Sequence, residues 1–218
     1  MKENPSIPSS LSFEINNLRK NFDRKTIFRD LNFSLSNRDS MAITGRNGSG
    51  KSTLIKILAN VLVQTSGSIG LNINNKVIER GDYYKYVGLV SPYLNLYDEF
   101  SGYENLRFVT KVRGVPPEYI DPVLEKVGLY ERRHDHVKIY SSGMKQRLKI
   151  AFSVIHRPLI LLLDEPTSNL DSQGIETVDR ISDEYKKNFI LIIATNDEHE
   201  RSLCEKEVNL NIERKDLK

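Results

Sequence analysis

Apolar and polar residues alternate along several short stretches of the chain, a period of two that is typical of half-buried β-strands. The first stretch runs from Leu11 to Leu18 and is followed by Arg19–Lys25, which is predicted to be a basic turn. Two further alternating runs carry their apolar residues at Leu31, Phe33 and Leu35 and at Ile69, Leu71 and Ile73. The pair Asn74-Asn75, which ends the last run, indicates a hairpin.

Continuous apolar runs predict a second group of strands, because strands covered on both faces lose the alternation. These runs are Met41–Ile43, Tyr86–Val90, Leu159–Leu163 and Phe189–Ala194. A last strand is predicted from Val208, Leu210 and Ile212. With the helices described next, these strands indicate an α/β domain.

The apolar period changes to that of a helix between residues 92 and 156. Helices are predicted there at Gly102–Val112, Pro116–Val127 and Met144–Ile155. We interpret this block, about residues 92–157, as a helical subdomain inserted into one domain that covers residues 1–218. Other helices are predicted around the apolar-periodic segment Leu54–Leu58, ending at about Leu62, at Ser172–Lys187 and at Glu198–Cys204.

The segment GRNGSGKST, Gly45–Thr53, lies between an apolar run and an apolar-periodic helix. Strand, glycine-rich loop and helix in this order form the setting of a phosphate-binding loop. The glycines let backbone N–H groups turn towards phosphate oxygens, Lys51 reaches the outer phosphates, and the Ser52 hydroxyl is placed to bind Mg²⁺. A glycine-rich connection without a ligand is the alternative, and the flanking strand and helix argue against it. The sequence therefore predicts binding of a nucleoside triphosphate.

Two carboxylates, Asp164 and Glu165, follow the apolar run Leu159–Leu163. Ligands of open α/β sheets bind at the carboxyl ends of strands, so both carboxylates are expected at the phosphate site. Asp164 is predicted to act with Ser52 on Mg²⁺, and Glu165 to polarise the water that attacks the γ-phosphate. A pair that only caps the next helix is the alternative.

The segment Tyr140-Ser141-Ser142-Gly143-Met144 precedes a predicted helix. Serine and glycine are ordinary residues at a helix start, and capping is one interpretation. The other is a second anion site at a helix N-terminus. The position of the segment ahead of a strand that ends in Asp-Glu favours the second interpretation.

The composition of the 218 residues is ordinary for a globular protein, and the net charge of +3 is only a weak basic excess. A single cysteine, Cys204, excludes an internal disulfide and fits a reducing compartment. No apolar run is long enough to span a bilayer. Residues 1–10 lack the apolar core of a secretory signal and are expected to be a disordered lead. We expect a cytoplasmic protein.

Taken together, these motifs resemble the nucleotide-binding subunit of an ABC transporter over nearly the whole chain. GRNGSGKST resembles the Walker A motif, YSSGM followed by KQRL the LSGGQ signature, LILLLDE the Walker B motif, and SNLD at 168–171 the D-loop. The resemblance implies an α/β fold with a P-loop NTPase core of ABC type, an N-terminal antiparallel β subdomain and the inserted helical subdomain. It also implies ATP and Mg²⁺ as the bound groups, with Ser52 and Asp164 at the metal.

The resemblance assigns nucleotide contacts to Phe22, Gly45, Arg46, Asn47, Gly48, Ser49, Gly50, Lys51, Ser52, Thr53, Ser141 and Gly143. Phe22 stands where the family has an aromatic that stacks on adenine. A buried core phenylalanine is the rival interpretation, because Phe28 is close by in the sequence. Domains of this family pair head to tail, so Ser141 and Gly143 would face the γ-phosphate of the ATP held by the partner.

The chain departs from the family at two positions. The family's glutamine, which binds the metal and the attacking water, falls at Pro92, so water or Ser91 would have to complete the metal shell. The switch histidine falls at Asn196, whose amide can donate to a phosphate oxygen but cannot take a proton. His199 is a candidate substitute, and a plain exposed histidine is the alternative. We therefore expect slow hydrolysis, with Glu165 and Asn196 as the catalytic residues.

Three functions remain open at this point. The first is the ATP-hydrolysing subunit of a transporter, which forms a homodimer when it binds ATP. The motif YSSGMKQRL and the compact length resemble those of exporter subunits. It would lie on the cytoplasmic face of the membrane and move a separate membrane-spanning chain docked near Tyr93–Glu104. The second is a nucleotide-gated switch with little hydrolysis, which Pro92 and Asn196 favour and Glu165 opposes. The third is an ABC protein of ribosomes or DNA, which the balanced charge disfavours, so no nucleic-acid partner is expected.

Overall fold

The computed structural model describes residues 7–211. The strands are β1 (Leu11–Phe22), β2 (Lys25–Ser36), β3 (Ser40–Thr44), β4 (Ser66–Ile73), β5 (Lys76–Ile78), β6 (Val87–Val90), β7 (Ile160–Asp164), β8 (Ile190–Ala194) and β9 (Lys206–Asn209). The α-helices are α1 (Lys51–Leu58), α2 (Gly102–Arg113), α3 (Ile120–Lys126), α4 (Ser142–Val154), α5 (Ser172–Lys186) and α6 (Glu198–Ser202). Short 3₁₀ turns cover Arg80–Lys85, Pro117–Tyr119, Tyr130–Arg132 and Val137–Ile139.

An antiparallel sheet of order β2-β1-β4-β5 contains the alternating strands. The turn predicted at Arg19–Lys25 is present but shorter, at Asp23-Arg24, because β1 continues to Phe22 and β2 begins at Lys25. The pairing register of β1 with β2 shifts between Ile15 and Leu18, which marks a β-bulge. Because the bulge interrupts the alternation of apolar and polar residues, the sequence pattern does not reveal the rest of the strand. The hairpin predicted at Asn74-Asn75 is present, and both residues have the positive φ angles of a tight turn.

A parallel sheet of order β6-β7-β8-β3-β9 contains the continuous apolar strands. Alternate residues of β7 enter two different cores. Ile160 and Leu162 pack with the antiparallel sheet and α1, whereas Leu161 and Leu163 pack with the helices on the other face. This two-sided burial is why neither β7 nor β8 shows an alternating pattern.

The chain between β6 and β7 folds into α2, α3 and α4, close to the predicted helices. Helix α2 begins at a capping box in which Ser101 accepts from the backbone N–H of Glu104 and the Glu104 carboxylate accepts from that of Ser101. The predicted helix Pro116–Val127 is divided into a 3₁₀ turn at Pro117–Tyr119 and helix α3. The division of the chain at about residues 92–157 stays a prediction.

The fold class predicted from the sequence is confirmed: an α/β core of P-loop type, an antiparallel sheet built mainly from the N-terminal region, and inserted helices. Among residues 7–211 no helix is long and apolar enough to cross a membrane. Strand β9 ends at Asn209, and Leu210 follows it as a buried residue. Ile212 of the predicted last strand and residues 1–6 of the predicted lead lie outside the described residues.

Candidate functional site

The phosphate loop connects β3 to α1, at the carboxyl end of the parallel sheet. Its glycines adopt positive φ angles, +145° at Gly45, +78° at Gly48 and +108° at Gly50. A Cβ atom on Gly50 would lie 2.4 Å from Cγ2 of Ile27 in β2, so the loop can pass beneath the hairpin only with glycine at this position. The hairpin β1–β2 therefore lies directly against the phosphate loop.

Lys51, the first residue of α1, is buried within this loop. Its Nζ atom donates a 2.8 Å hydrogen bond to the carbonyl oxygen of Gly45, at the start of the loop. The ammonium group is thereby held across the loop that its own backbone forms. A phosphate bound there would meet a lysine that is already positioned and partly desolvated.

Ser52 and Asp164 meet at the carboxyl end of β7. The Ser52 hydroxyl donates to Oδ1 of Asp164 over 3.1 Å. Asp164 follows Ile160 and Leu162 on one face of β7, the face towards α1, and its side chain is almost fully buried. Burial raises the pKa of Asp164, the hydrogen bond from Ser52 lowers it, and the nearby charge of Glu165 raises it, so that the net shift is upward.

The donor atoms at this point fit Mg²⁺ bound together with a triphosphate. The Oδ2 atom of Asp164 is buried and has no hydrogen-bond partner. In the part of the chain that the structure describes, no group of three or more His, Cys, Asp and Glu residues could hold a metal alone. Mg²⁺ commonly uses one or two protein ligands and takes the rest from phosphates and water. Ser52 and Asp164 have the oxygen atoms that such a small protein share of the ligands requires.

Glu165 turns the chain out of the sheet immediately after Asp164. Its backbone N–H donates to the carbonyl of Ala194 in β8, and its φ angle of +48° lies in the left-handed region. A non-glycine residue adopts this conformation at a cost, and such residues cluster at functional sites. The turn brings two consecutive carboxylates to the same end of the sheet, as the sequence predicted.

Asn196 follows β8 and reaches the phosphate loop directly. Its Nδ2 atom donates to Oδ1 of Asn47 over 2.6 Å. His199, the candidate substitute for a switch histidine, is instead half-exposed and contacts Asp179 of α5 at 2.9 Å. The structure therefore places Asn196 at the phosphate loop and His199 on the surface beside α5.

The two phenylalanines considered for adenine stacking differ in exposure. Phe28 is fully buried in the core beneath the antiparallel sheet, whereas Phe22 is 46% exposed at the end of β1. The ammonium of Lys20 lies 4.6 Å from the centroid of the Phe22 ring. Phe22 therefore offers an accessible aromatic face at the tip of the hairpin β1–β2, whose strand β2 lies against the phosphate loop through Ile27.

The signature-like segment begins helix α4. Ser141 caps the helix by accepting a 3.2 Å hydrogen bond from the N–H of Met144. A Cβ atom on Gly143 would lie 3.1 Å from the carbonyl oxygen of Asn169, so a glycine allows close packing against the loop after β7. Ser141 is exposed, and within one chain the observed role of this segment is capping.

Several side chains at the site were not marked by the sequence. Lys149 of α4 donates to the carbonyl of Pro92 over 3.2 Å, and Lys56 of α1 lies 3.7 Å from the centroid of the Tyr93 ring. The Ser91 hydroxyl, proposed as a metal ligand in place of a glutamine, accepts a bond from the N–H of Tyr93. The contacts of Lys149 and Lys56 join segments that are far apart in the chain, and no local sequence pattern predicts them.

A phosphate loop, an aligned Ser–Asp pair and a following glutamate at the ends of parallel strands define a P-loop nucleotide-binding domain. Comparison with known proteins identifies the family within this class of P-loop domains. The family model described as ABC transporter matches residues 28–168. The chain belongs to the ABC transporter family, and its fold is that of an ATPase cassette.

One relative is the lantibiotic transport ATP-binding protein SrtF of Streptococcus pyogenes. It is 39% identical over 180 residues, which are 83% of this chain and 77% of SrtF. The chain spans about half the length of several other curated relatives that it matches, between 53% and 56% of four of them.

Solved structures show the same fold. An ATP-binding subunit of an ABC transporter superposes with a TM-score of 0.79 at 26% identity, over 90% of this chain and 85% of that chain. The ATP-binding cassette MJ0796, in a dimeric post-hydrolysis state with ADP and phosphate, gives a TM-score of 0.77 at 23% identity. That match covers 90% of this chain and 93% of the cassette, and it shows the fold alone.

Proposed function

We propose that this chain binds ATP with Mg²⁺, hydrolyses it slowly, and powers export through a separate membrane-spanning subunit. The observation that carries the proposal is the contact between Ser52 and Asp164. Lys51 precedes Ser52 and Glu165 follows Asp164 in the chain. A phosphate-binding loop alone would support nucleotide binding. The two carboxylates at its mouth add the groups that hydrolysis requires.

Binding is assigned to the phosphate loop, residues 45–53, and to Phe22. Loop N–H groups and the start of α1 favour the negative phosphates, and Lys51 would exchange its bond to Gly45 for the outer phosphates. The exposed ring of Phe22 would stack on adenine. Mg²⁺, held by Ser52 and Asp164, would neutralise charge that develops on the phosphate oxygens.

Hydrolysis is assigned to Glu165. Its carboxylate would accept a proton from a water whose oxygen attacks the γ-phosphorus, while the bond from that phosphorus to the bridging oxygen of ADP breaks. The products are ADP and inorganic phosphate. Asn196 would leave Asn47 and donate its amide N–H to a γ-phosphate oxygen.

Slow turnover follows from Pro92 and Asn196. Pro92 offers only its carbonyl oxygen, and that oxygen already accepts a bond from Lys149. Asn196 donates as a neutral group, which gives a weaker hydrogen bond to an anion than a charged donor does. Loss of one aimed donor commonly costs about 2.7–4 kcal/mol of transition-state stabilisation.

Pairing with a second copy of this chain is part of the proposal. Ser141 and the exposed start of α4 would reach the γ-phosphate of the ATP in the partner, together with Gly143. The dimeric, product-bound state named for MJ0796 supports this arrangement for a cassette of the same fold. The homodimer is the simplest form that brings each phosphate loop to a signature segment.

Docking of the membrane subunit is proposed on the exposed aromatic surface before and along α2. Tyr97 packs against Phe100 and against Phe108, with ring centroids 5.3 Å apart in both pairs. All three side chains are more than 40% exposed. A groove of about 540 Å³ beside them is also lined by Arg107, Lys111 and other residues. An apolar surface of this kind fits a short amphipathic helix of another chain.

Export is favoured by the relatives, since SrtF is named a lantibiotic transport ATP-binding protein. The chain would then work on the cytoplasmic face of the cell membrane, where ATP is available. A nucleotide-gated switch that dimerises on ATP and hardly hydrolyses it is the second candidate. Pro92 and Asn196 are the residues that favour it.

The test is ATP turnover by the purified protein with Mg²⁺, beside Glu165→Gln, with dimerisation followed by light scattering. A hydrolysing subunit will lose turnover in the variant, and ATP will trap the variant as a dimer. If neither protein turns over ATP while both dimerise on it, the switch is supported. Reconstitution with a membrane subunit then distinguishes a switch from a motor that needs its partner.

A further inference from the structure

Glu200 of helix α6 is a buried carboxylate between the loop after β8 and the loop after β7. Only 2% of the residue is exposed. A buried carboxylate is costly unless hydrogen bonds compensate for the lost water. Its Oε1 atom accepts two bonds from Thr167, over 2.8 Å from the backbone N–H and 2.5 Å from the hydroxyl. Both of these hydrogen bonds to the Glu200 carboxylate therefore come from Thr167, in the loop after β7.

Thr167 lies two residues after Glu165, in the turn that follows β7. The N–H of Ser168 donates back to the carbonyl of Glu165, which closes this turn. Gln146 of α4 donates to the carbonyl of Pro166 over 3.0 Å, so that the turn is held from a second side. Glu165 itself has a φ angle of +48°, a conformation that persists only where neighbouring contacts fix it.

Glu200 also contacts the loop after β8, which contains Asn196. Asp197 caps the start of helix α6, and its side chain accepts from the backbone N–H of Glu200 over 3.0 Å. Glu200 thus contacts the loop after β8 through its backbone and the loop after β7 through its carboxylate. The loops that carry Glu165 and Asn196 are joined by this one residue.

We propose that Glu200 is a positioning residue that fixes the turn carrying Glu165 relative to Asn196. The inference rests on the proposed hydrolysis of ATP by this chain. A general base must be placed accurately, since a displacement of about 1 Å can cost about a hundredfold in rate. Removal of the Glu200 carboxylate frees Thr167 and lets Glu165 move, while the phosphate loop and its ATP contacts stay in place.

The test compares Glu200→Ala with Glu200→Gln, whose amide oxygen can still accept from Thr167. We expect Glu200→Ala to lower kcat about tenfold to a hundredfold with the KM for ATP within about twofold. We expect Glu200→Gln to recover most of the rate. Glu198→Gln, which removes an exposed carboxylate from the same helix, is the matched control and will leave both constants unchanged. Equal kcat in wild type and Glu200→Ala would overturn the inference.

Thr167→Val provides a milder variant if Glu200→Ala fails to fold, because it removes only the hydroxyl bond. We expect kcat to fall and thermal unfolding to change little, and an unchanged kcat would again contradict the role. Amide hydrogen exchange at Thr167 gives a readout without turnover. Exchange there will quicken in Glu200→Ala while β7 stays protected, and equal protection would refute the proposal. Absence of turnover in the wild type would count against the proposed function, and the exchange result would still decide whether Glu200 orders the turn.

Discussion

Asn196 donates a hydrogen bond from Nδ2 to Oδ1 of Asn47, over 2.6 Å and across 149 positions of the chain. The contact joins the loop after β8 to the phosphate loop, where the proposed function places the γ-phosphate of ATP. Both side chains are neutral amides. In the proposed function Asn196 exchanges one acceptor for another when a triphosphate binds, and no protonation change assists that exchange.

A histidine at this position should accelerate hydrolysis. We expect Asn196→His to raise kcat about tenfold or more, because an imidazolium is a stronger donor to the γ-phosphate than an amide. Asn196→Ala should lower kcat instead. Asn16→His, which places a histidine on an exposed position of β1, is the control. Steady-state turnover with Mg²⁺ measures all three, and ordinary transporter rates in the wild type with no gain in Asn196→His would refute the idea of slow hydrolysis.

Substitution of Phe22 should affect ATP binding, whereas substitution of Phe28 should affect the stability of the fold. We expect Phe22→Ala to weaken ATP binding about tenfold through lost stacking, with little change in the unfolding temperature, because the ring is 46% exposed. Phe28→Ala should cost about 3–5 kcal/mol of stability, since it empties a fully buried position. Calorimetric titration with ATP and thermal unfolding measure the pair. Equal ATP affinity in wild type and Phe22→Ala would exclude the stacking role.

The sequence predicted the parts of the site that are encoded locally. The phosphate loop lies directly between β3 and α1 in the sequence, and Asp164 and Glu165 directly follow an apolar run. The neighbouring residues therefore identify each of these motifs. The meeting of Ser52 with Asp164 followed from the rule that ligands bind at the carboxyl ends of parallel strands. These inferences needed no knowledge of the packing between distant segments.

Contacts between distant segments could not be predicted in this way. Glu200 occupies one turn of a short charged helix, and only the packing of α6 against the loop at Thr167 buries it. The hairpin β1–β2 was cut short in the prediction because a bulge after Ile15 breaks the alternation, while cross-strand pairing carries the strand on to Phe22. Tertiary context overrides a local pattern in both cases.

Asp164 should cost the protein stability in the absence of Mg²⁺ and ATP. Its folded pKa is raised, chiefly by burial, above the ordinary value of 3.8, so the folded state binds the proton more tightly than the unfolded chain. The free energy of unfolding therefore falls as the pH rises through this range and stays lower above it. We expect Asp164→Asn to raise the unfolding temperature at pH 7–8 and to abolish Mg²⁺-dependent turnover.

Thermal unfolding at several pH values, without nucleotide or metal, measures the effect of Asp164→Asn. The gain in stability should shrink as the pH falls towards and below 3.8, the ordinary pKa, where the wild-type carboxyl becomes protonated in both states. Glu176→Gln, a change of the same charge at an exposed position of α5, is the control. A lower unfolding temperature in Asp164→Asn at neutral pH would show that the carboxylate stabilises the free protein instead.

His156, behind β6, should make the protein sensitive to acid. Burial and the nearby charge of Arg113 lower the pKa of His156 to about 3 from its ordinary value of 6.5, although its ring nitrogen Nε2 contacts the carbonyl of Val87 at 3.1 Å. The unfolded chain binds a proton in this range and the folded protein does not. The free energy of unfolding therefore falls as the pH drops from about 6.5 towards 3, by up to about 1.4 kcal/mol per pH unit from this group.

We expect His156→Gln to flatten this dependence, because glutamine cannot take up a proton and its amide can still donate to Val87. Urea unfolding at pH 7, 6, 5 and 4 gives the free energy of unfolding at each pH. His134→Gln, at an exposed histidine that packs beside Tyr103, is the matched control and should leave the slope as it is in the wild type. The same slope in wild type and His156→Gln would mean that His156 is not the group whose protonation drives unfolding, and that buried carboxylates carry the acid sensitivity.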